Sequence, residues 1–159
     1  MNFKLKNLLI ILLVYIYTTV VAFAGTQEPQ AKVTRNGNVI SIDSGTDHYR
    51  IEVCSPSVIR VRMAGPAGFA GDENLMVIRY NWDEQPFAFN AGSANSWELK
   101  TAALTAKIST NPVRVAFYTP DGVLINQDEL KEKPMCYANE GPLSTKQLQP
   151  GEHFFGFGE

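Results

Sequence analysis

The chain has 159 residues, of which 45% are hydrophobic and 19% charged, with a net charge of −2. That length carries one domain with a core of its own, and the composition lies outside the disordered regime. A sequence pI near 5.7 removes the basic patch that nucleic-acid binding needs.

The first 24 residues read as a secretory signal. Lys4 and Lys6 form the positive start, Leu8 to Val14 is unbroken and apolar, and Ala22-Phe23-Ala24 is a small-residue cleavage site followed by Gly25. The apolar run ends at Phe23 and contains Thr18 and Thr19. It is therefore short of the roughly 20 apolar residues of a membrane span. Two units are expected: a signal helix over 1–24, and a mature domain over 25–159 exported to the periplasm or the medium, with no membrane association after cleavage. Loss of Lys4 and Lys6 takes the net charge from −2 to −4.

After a polar lead-in over Gly25 to Gln30, short alternating runs alternate with turn residues, the pattern of an all-β chain. Val39 to Ser44 is the first run, and Asp43 to Asp47 a turn. Tyr49, Ile51 and Val53 alternate with Arg50, Glu52 and Cys54. Beyond the Ser55-Pro56-Ser57 turn, Ile59, Val61 and Met63 alternate with Arg60 and Arg62. These two runs predict a hairpin with one apolar and one polar face. Gly65 to Asn74 reads as a loop, Leu75 to Tyr80 as a fourth run and Phe87 to Asn90 as a short edge piece. Trp97 to Thr101 and Leu104 to Thr110 follow, then an Asn111-Pro112 turn and Val113 to Tyr118. Thr119-Pro120-Asp121-Gly122 is a strong turn, after which Leu124 and Ile125 resume the sheet. Residues 128 to 147 read as polar and irregular. About eight strands at this spacing predict a sandwich or barrel.

Candidate functional residues have competing readings. Arg60 and Arg62, with Arg50 opposite, suit either an anion site or a solvated face cross-paired to Glu52. Trp82 and Trp97 suit sugar stacking or core packing. Trp82, in a loop with Asp83 and Glu84, is the better sugar platform, joined by Phe87 and Phe89. Asp72-Glu73 and Asp83-Glu84 are adjacent pairs, and neighbouring strand residues point to opposite faces, so neither forms a glycosidase dyad alone. Cys54 and Cys136 either pair or stay as free thiols. No metal-type Cys/His spacing, serine-nucleophile or zinc-protease motif occurs, so no metal, cofactor or catalytic residue is expected.

Three stretches together resemble glycoside hydrolase family 31, the α-glucosidase and α-xylosidase family. They are YRIEVCSPSVIRVRM, then WELKTAALTAKISTNPVRVAFYTPDGVLINQD, then GEHFFGFGE. The first is similar to the family's strand pair ending in Ile-Arg-Val-Arg. The second is similar to its T-x-x-L-x-x-x-I-S-x-x-P segment. The third is similar to its G-E-x-F-F/Y-G-x-G-E signature. The resemblance implies a β-sandwich of galactose-mutarotase type that packs on a following (β/α)₈ barrel. That barrel carries the two aspartates of a retaining mechanism. Gly156, Gly158 and Glu159 carry over as a junction motif. The apolar ending at Phe154, Phe155 and Phe157 fits a chain that continues into the barrel. The implied role is non-catalytic: support of the barrel and of one edge of the site for an oligosaccharide. A free-standing carbohydrate-binding sandwich is the alternative.

Overall fold

The computed structural model describes residues 30–69, 71, 79–138 and 141–153. The signal segment, most of the run expected over Leu75 to Tyr80, the Asp72-Glu73 pair and the junction residues Gly156, Gly158 and Glu159 lie outside them.

Two antiparallel meanders face each other. The first sheet has the order β1-β2-β3-β4, from Lys32–Asn36, Val39–Ser44, Asp47–Ser55 and Val58–Ala64. The second has the order β5-β6-β7-β8-β9, from Ala88–Ala91, Ser96–Lys100, Thr105–Thr110, Val113–Tyr118 and Leu124–Gln127. A hairpin of β10 (Met135–Ala138) and β11 (Gly141–Ser144) completes the described strands, and no helix occurs among the described residues. Every strand pairs with its neighbour in sequence, so short turns fix the register. The β1–β2 and β2–β3 connections are two-residue loops whose first residues, Gly37 and Gly45, have φ of 55° and 63°. Glycine at that position is what a tight hairpin turn requires.

Period-two alternation decides the faces. Ile40 and Ile42 of β2, and Tyr49, Ile51 and Val53 of β3, point inward from one sheet. Leu99 of β6, Ala106 and Ile108 of β7, and Val113 and Val115 of β8 point inward from the other. These residues form one continuous core, with Met135 of β10 sealed into it. Burial of a large aliphatic side chain contributes about 1.5–3 kcal/mol, so this shared layer binds the sheets together. The pairing of β3 with β4 shifts register between Val53 and Ser55. Cys54 is the extra residue there, which explains why both Val53 and Cys54 are buried although they are adjacent.

The architecture agrees with the all-β sandwich expected from the turn spacing, with corrections. Lys32–Asn36 is a strand ahead of the first expected run, and 128 to 147 is not wholly irregular, since it holds β10 and β11. β1 is an edge strand that leaves four of its five residues exposed, and β11 leaves three of its four exposed. An apolar period is weak in such strands because a core imprints only where a face is covered.

Candidate functional site

The outer face of the first sheet is built by the residues that alternate with its core. β3 and β4 pair so that Arg50 lies directly opposite Arg62, and Glu52 opposite Arg60. Glu52 Oε2 accepts from Arg60 Nε at 2.9 Å and from Arg60 Nη2. The pair is largely shielded from water. Arg60 is thus neutralised within the sheet, as the solvated-face reading has it. Arg50 and Arg62 instead share the ring of Phe69, with their guanidinium carbons 4.2 and 5.5 Å from its centroid. Phe69 reaches them because Gly65 to Gly68 closes a turn, with Gly68 N–H donating to Gly65 O at 2.9 Å and Gly68 at φ 75°. Arg50, Arg60 and Arg62 line a groove of about 330 Å³ with Glu52 and Tyr80.

That groove continues toward Trp82. A second depression of about 330 Å³ shares Val39, Glu52 and Tyr80 with it and adds Asn38 and Trp82. The Asn38 side chain fixes the Trp82 loop by donating to Asp83 O and accepting from Gln85 N–H, both at 2.8 Å. Arg79 lies 4.7 Å above the Trp82 ring. Trp82 Nε1 is buried and has no hydrogen-bond partner among the described residues. Asp83 and Glu84 are exposed loop residues, and Asp83 takes a 3.4 Å contact from Arg79.

The structure does not gather Phe87 and Phe89 with Trp82 into one aromatic platform. Both pack against the core. Phe89 stacks on Trp97 at 4.9 Å and 11°, and Arg35 covers Phe87 at 3.8 Å. Trp97 itself is a packing residue on β6.

The outer face of the second sheet carries a larger groove, about 540 Å³, floored by Glu98, Lys107, Ser109 and Ala116 and bounded by Tyr118 and Leu130. Sequence reasoning passed over it because its residues come from five separate strands and loops. Its wall is fixed by Arg114, which donates to the carbonyls of Glu129, Leu130 and Glu132 at 2.8–2.9 Å. Asp128, 1% exposed, accepts from Val115 N–H at 2.7 Å and from Lys146 Nζ. Tyr118 stands under the Lys107 ammonium at 4.7 Å.

Three of the described carboxylates are held by cations within the scaffold. Glu52 is held by Arg60, Asp128 by Lys146, and Asp47 by Lys133. No group of three or more His, Cys, Asp or Glu side chains able to hold a metal ion comes together among the described residues. Cys54 and Cys136 are free thiols. Burial, and after it the Glu52 carboxylate, push the Cys54 thiol up, which makes it a poor nucleophile.

The model of the glycosyl hydrolase 31 N-terminal galactose mutarotase-like domain matches residues 48–159. The chain belongs to glycoside hydrolase family 31. The match lies in that family's amino-terminal domain. Among solved structures, the family 31 dextranase of Flavobacterium johnsoniae is similar at TM-score 0.68 and 21% identity, both complexed with glucose and as a mutant complexed with isomaltotriose. The similarity covers 81% of this chain and 16% of the dextranase. An uncharacterized protein of Listeria monocytogenes, solved with α-D-glucose, β-D-glucose, magnesium and calcium, is similar at TM-score 0.52 and 13% identity, over 65% of this chain and 9% of that one. No curated protein matches. At these identities the structural likeness establishes the fold, and this chain spans about a sixth of the dextranase's length.

Proposed function

We propose that this family 31 domain is the non-catalytic amino-terminal sandwich of an exported, retaining α-glycosidase acting on α-linked glucosides. It buttresses a following barrel that supplies both catalytic aspartates, and it shapes one edge of the oligosaccharide site. The observation that carries this reading is the family match across residues 48–159. The glucose and isomaltotriose complexes of the dextranase favour glucosides as the substrate class. The structural employment of Glu52, Asp128 and Asp47 favours a supporting role, because a retaining dyad needs two carboxyl groups about 5 Å apart and free to react. No cofactor enters this chemistry. The alternative, a free-standing carbohydrate-binding sandwich, now leans on Trp82, since Phe87 and Phe89 are packed against the core.

The test is hydrolysis by the whole natural gene product and by residues 25–159 alone. The whole protein is expected to cleave isomalto-oligosaccharides or nitrophenyl α-glucosides, with the α-anomer released first in proton NMR. Residues 25–159 are expected to release no sugar. Turnover by residues 25–159 alone, or an inverted first product, would overturn the proposal.

A further inference from the structure

We propose that the outer face of the first sheet is a second saccharide site, selective for sugars bearing a carboxylate such as uronic acids.

Charge placement is the first argument. Arg50 and Arg62 are direct cross-strand neighbours on the solvent face. Like charges in that register repel one another. Glu52, the carboxylate one rank away, is already occupied by Arg60. Arg62 and Tyr80 make further interactions within the protein. Arg50 is exposed, and its charge contact among the described residues is the Phe69 ring. Stacking on a ring face leaves the planar N–H fork of a guanidinium pointing outward at its edge, in the geometry that takes a carboxylate through two parallel hydrogen bonds.

Shape and the neighbouring aromatic groups supply the second argument. The arginine groove and the Trp82 depression share Val39, Glu52 and Tyr80, so they form one trough. Each part, at about 330 Å³, is within the usual span of small-ligand sites. A sugar whose carboxylate sits on Arg50 has its ring directed along the trough toward Tyr80 and Trp82. The buried Trp82 Nε1 lacks a partner among the described residues. A sugar hydroxyl that takes up this donor would satisfy it.

Calorimetry on the whole mature protein at low ionic strength tests this with three probes: trigalacturonate, maltotriose and sodium sulfate. Trigalacturonate is expected to bind, more weakly as salt rises, while maltotriose gives no heat at this site. Arg50→Gln is expected to weaken trigalacturonate about tenfold, and Arg50→Lys to recover only part of that loss. Trp82→Phe, which removes the indole N–H, is expected to weaken it severalfold. In the wild-type protein, trigalacturonate is expected to shift the backbone amide resonances of Arg50, Arg62 and Trp82. Absence of heat with trigalacturonate, or maltotriose shifting the Arg50, Arg62 and Trp82 resonances as strongly as trigalacturonate does, sinks the proposal. So do an Arg50→Gln protein that binds normally and sulfate that competes at equal concentration, since the latter marks a bare anion site. The resonance shifts do not depend on any variant folding, and their absence on addition of trigalacturonate would also overturn it.

Discussion

At the scale of single residues, two buried polar groups fix the stability of the domain. Tyr49 sits in the centre of β3, 1% exposed, with its phenol pKa pushed up to about 12 by burial first and by the nearby Asp47 carboxylate next. A raised acid pKa means the fold favours the neutral phenol. The corresponding stability is complete below pH 10, where the unfolded tyrosine is still protonated, and is lost as pH rises toward 12. Across that window, stability is expected to fall by on the order of 1 kcal/mol per pH unit through this residue. Urea unfolding of the wild type and of Tyr49→Phe at pH 9, 10 and 11 isolates the effect, because other tyrosines and lysines titrate equally in both. Parallel curves for the two proteins would refute it. Asp128 acts differently. Its carboxylate holds Val115 N–H of β8 on one oxygen and Lys146 on the other, and so ties the segment after β11 to the second sheet. Asp128→Asn keeps the shape but withdraws the charge from a lysine that is only one-third exposed. Removing one partner of a buried pair costs about 3–5 kcal/mol, and the partial exposure of Lys146 lowers that to about 2 kcal/mol here. A melting temperature lower by about 5 °C in calorimetry is expected; an unchanged one would show that the lysine finds water instead.

At the scale of elements, Arg114 is the case where a strand holds a loop. Three backbone carbonyls from Glu129 to Glu132 converge on its guanidinium, so residues 129 to 132 keep their course without regular structure. Arg114→Met, which preserves the stem, should leave β8 intact. It should speed amide exchange about tenfold in Leu130 to Lys133, as local opening there loses its main restraint. Uniform exchange throughout the domain would contradict this. The same loop shows what was legible in the sequence. β2, β3, β7 and β8 were plain because each turns one apolar face into the core, and β4 because Ile59, Val61 and Met63 pack against that core; such packing writes a period of two into the residues. β1 and β11 are mostly exposed and left no such period, and β10, whose Met135 reaches the core, is too short at four residues to show one. The candidate site divided in the same way. Outward Arg50, Arg60 and Arg62 followed from alternation, and so did the Glu52 pairing. The positions of Phe87 and Phe89 did not, because the short edge strand β5 carries no clear alternation, and it is pairing with β6 that turns Phe89 to the core side beside Leu99 and Trp97. The groove on the second sheet was invisible, since no contiguous motif contains it.

At the scale of the whole molecule, the question is whether the two meanders are one cooperative unit. Among the described residues all strand pairing is local, and no strand crosses from one sheet to the other. Strand hydrogen bonds alone would therefore allow the sheets to separate, with Thr101 Oγ1 donating to Pro56 O as a link between their turns. The core argues otherwise. Ile40, Ile42, Ile51 and Val53 from the first sheet share a single cluster with Leu99, Ile108, Val113 and Val115 from the second. Neither sheet has a covered apolar face without the other, and an exposed face of this size is not tolerated by an isolated meander. Unfolding is thus expected to be two-state across both sheets. The two tryptophans make this measurable: Trp82 packs beside the β1–β2 turn of the first sheet and Trp97 lies in the second. Trp97→Phe and Trp82→Phe leave one fluorophore each, reporting one sheet each. In either variant, the fluorescence midpoint in urea should coincide with the midpoint by far-ultraviolet circular dichroism. Ile108→Ala, a change confined to the second sheet, should cost about 2–5 kcal/mol and move the Trp82 signal of the first sheet by the same amount as the Trp97 signal. If the Trp82 transition stayed in place while Trp97 moved, the sheets would be two units in contact, and the shared core would not be what couples them.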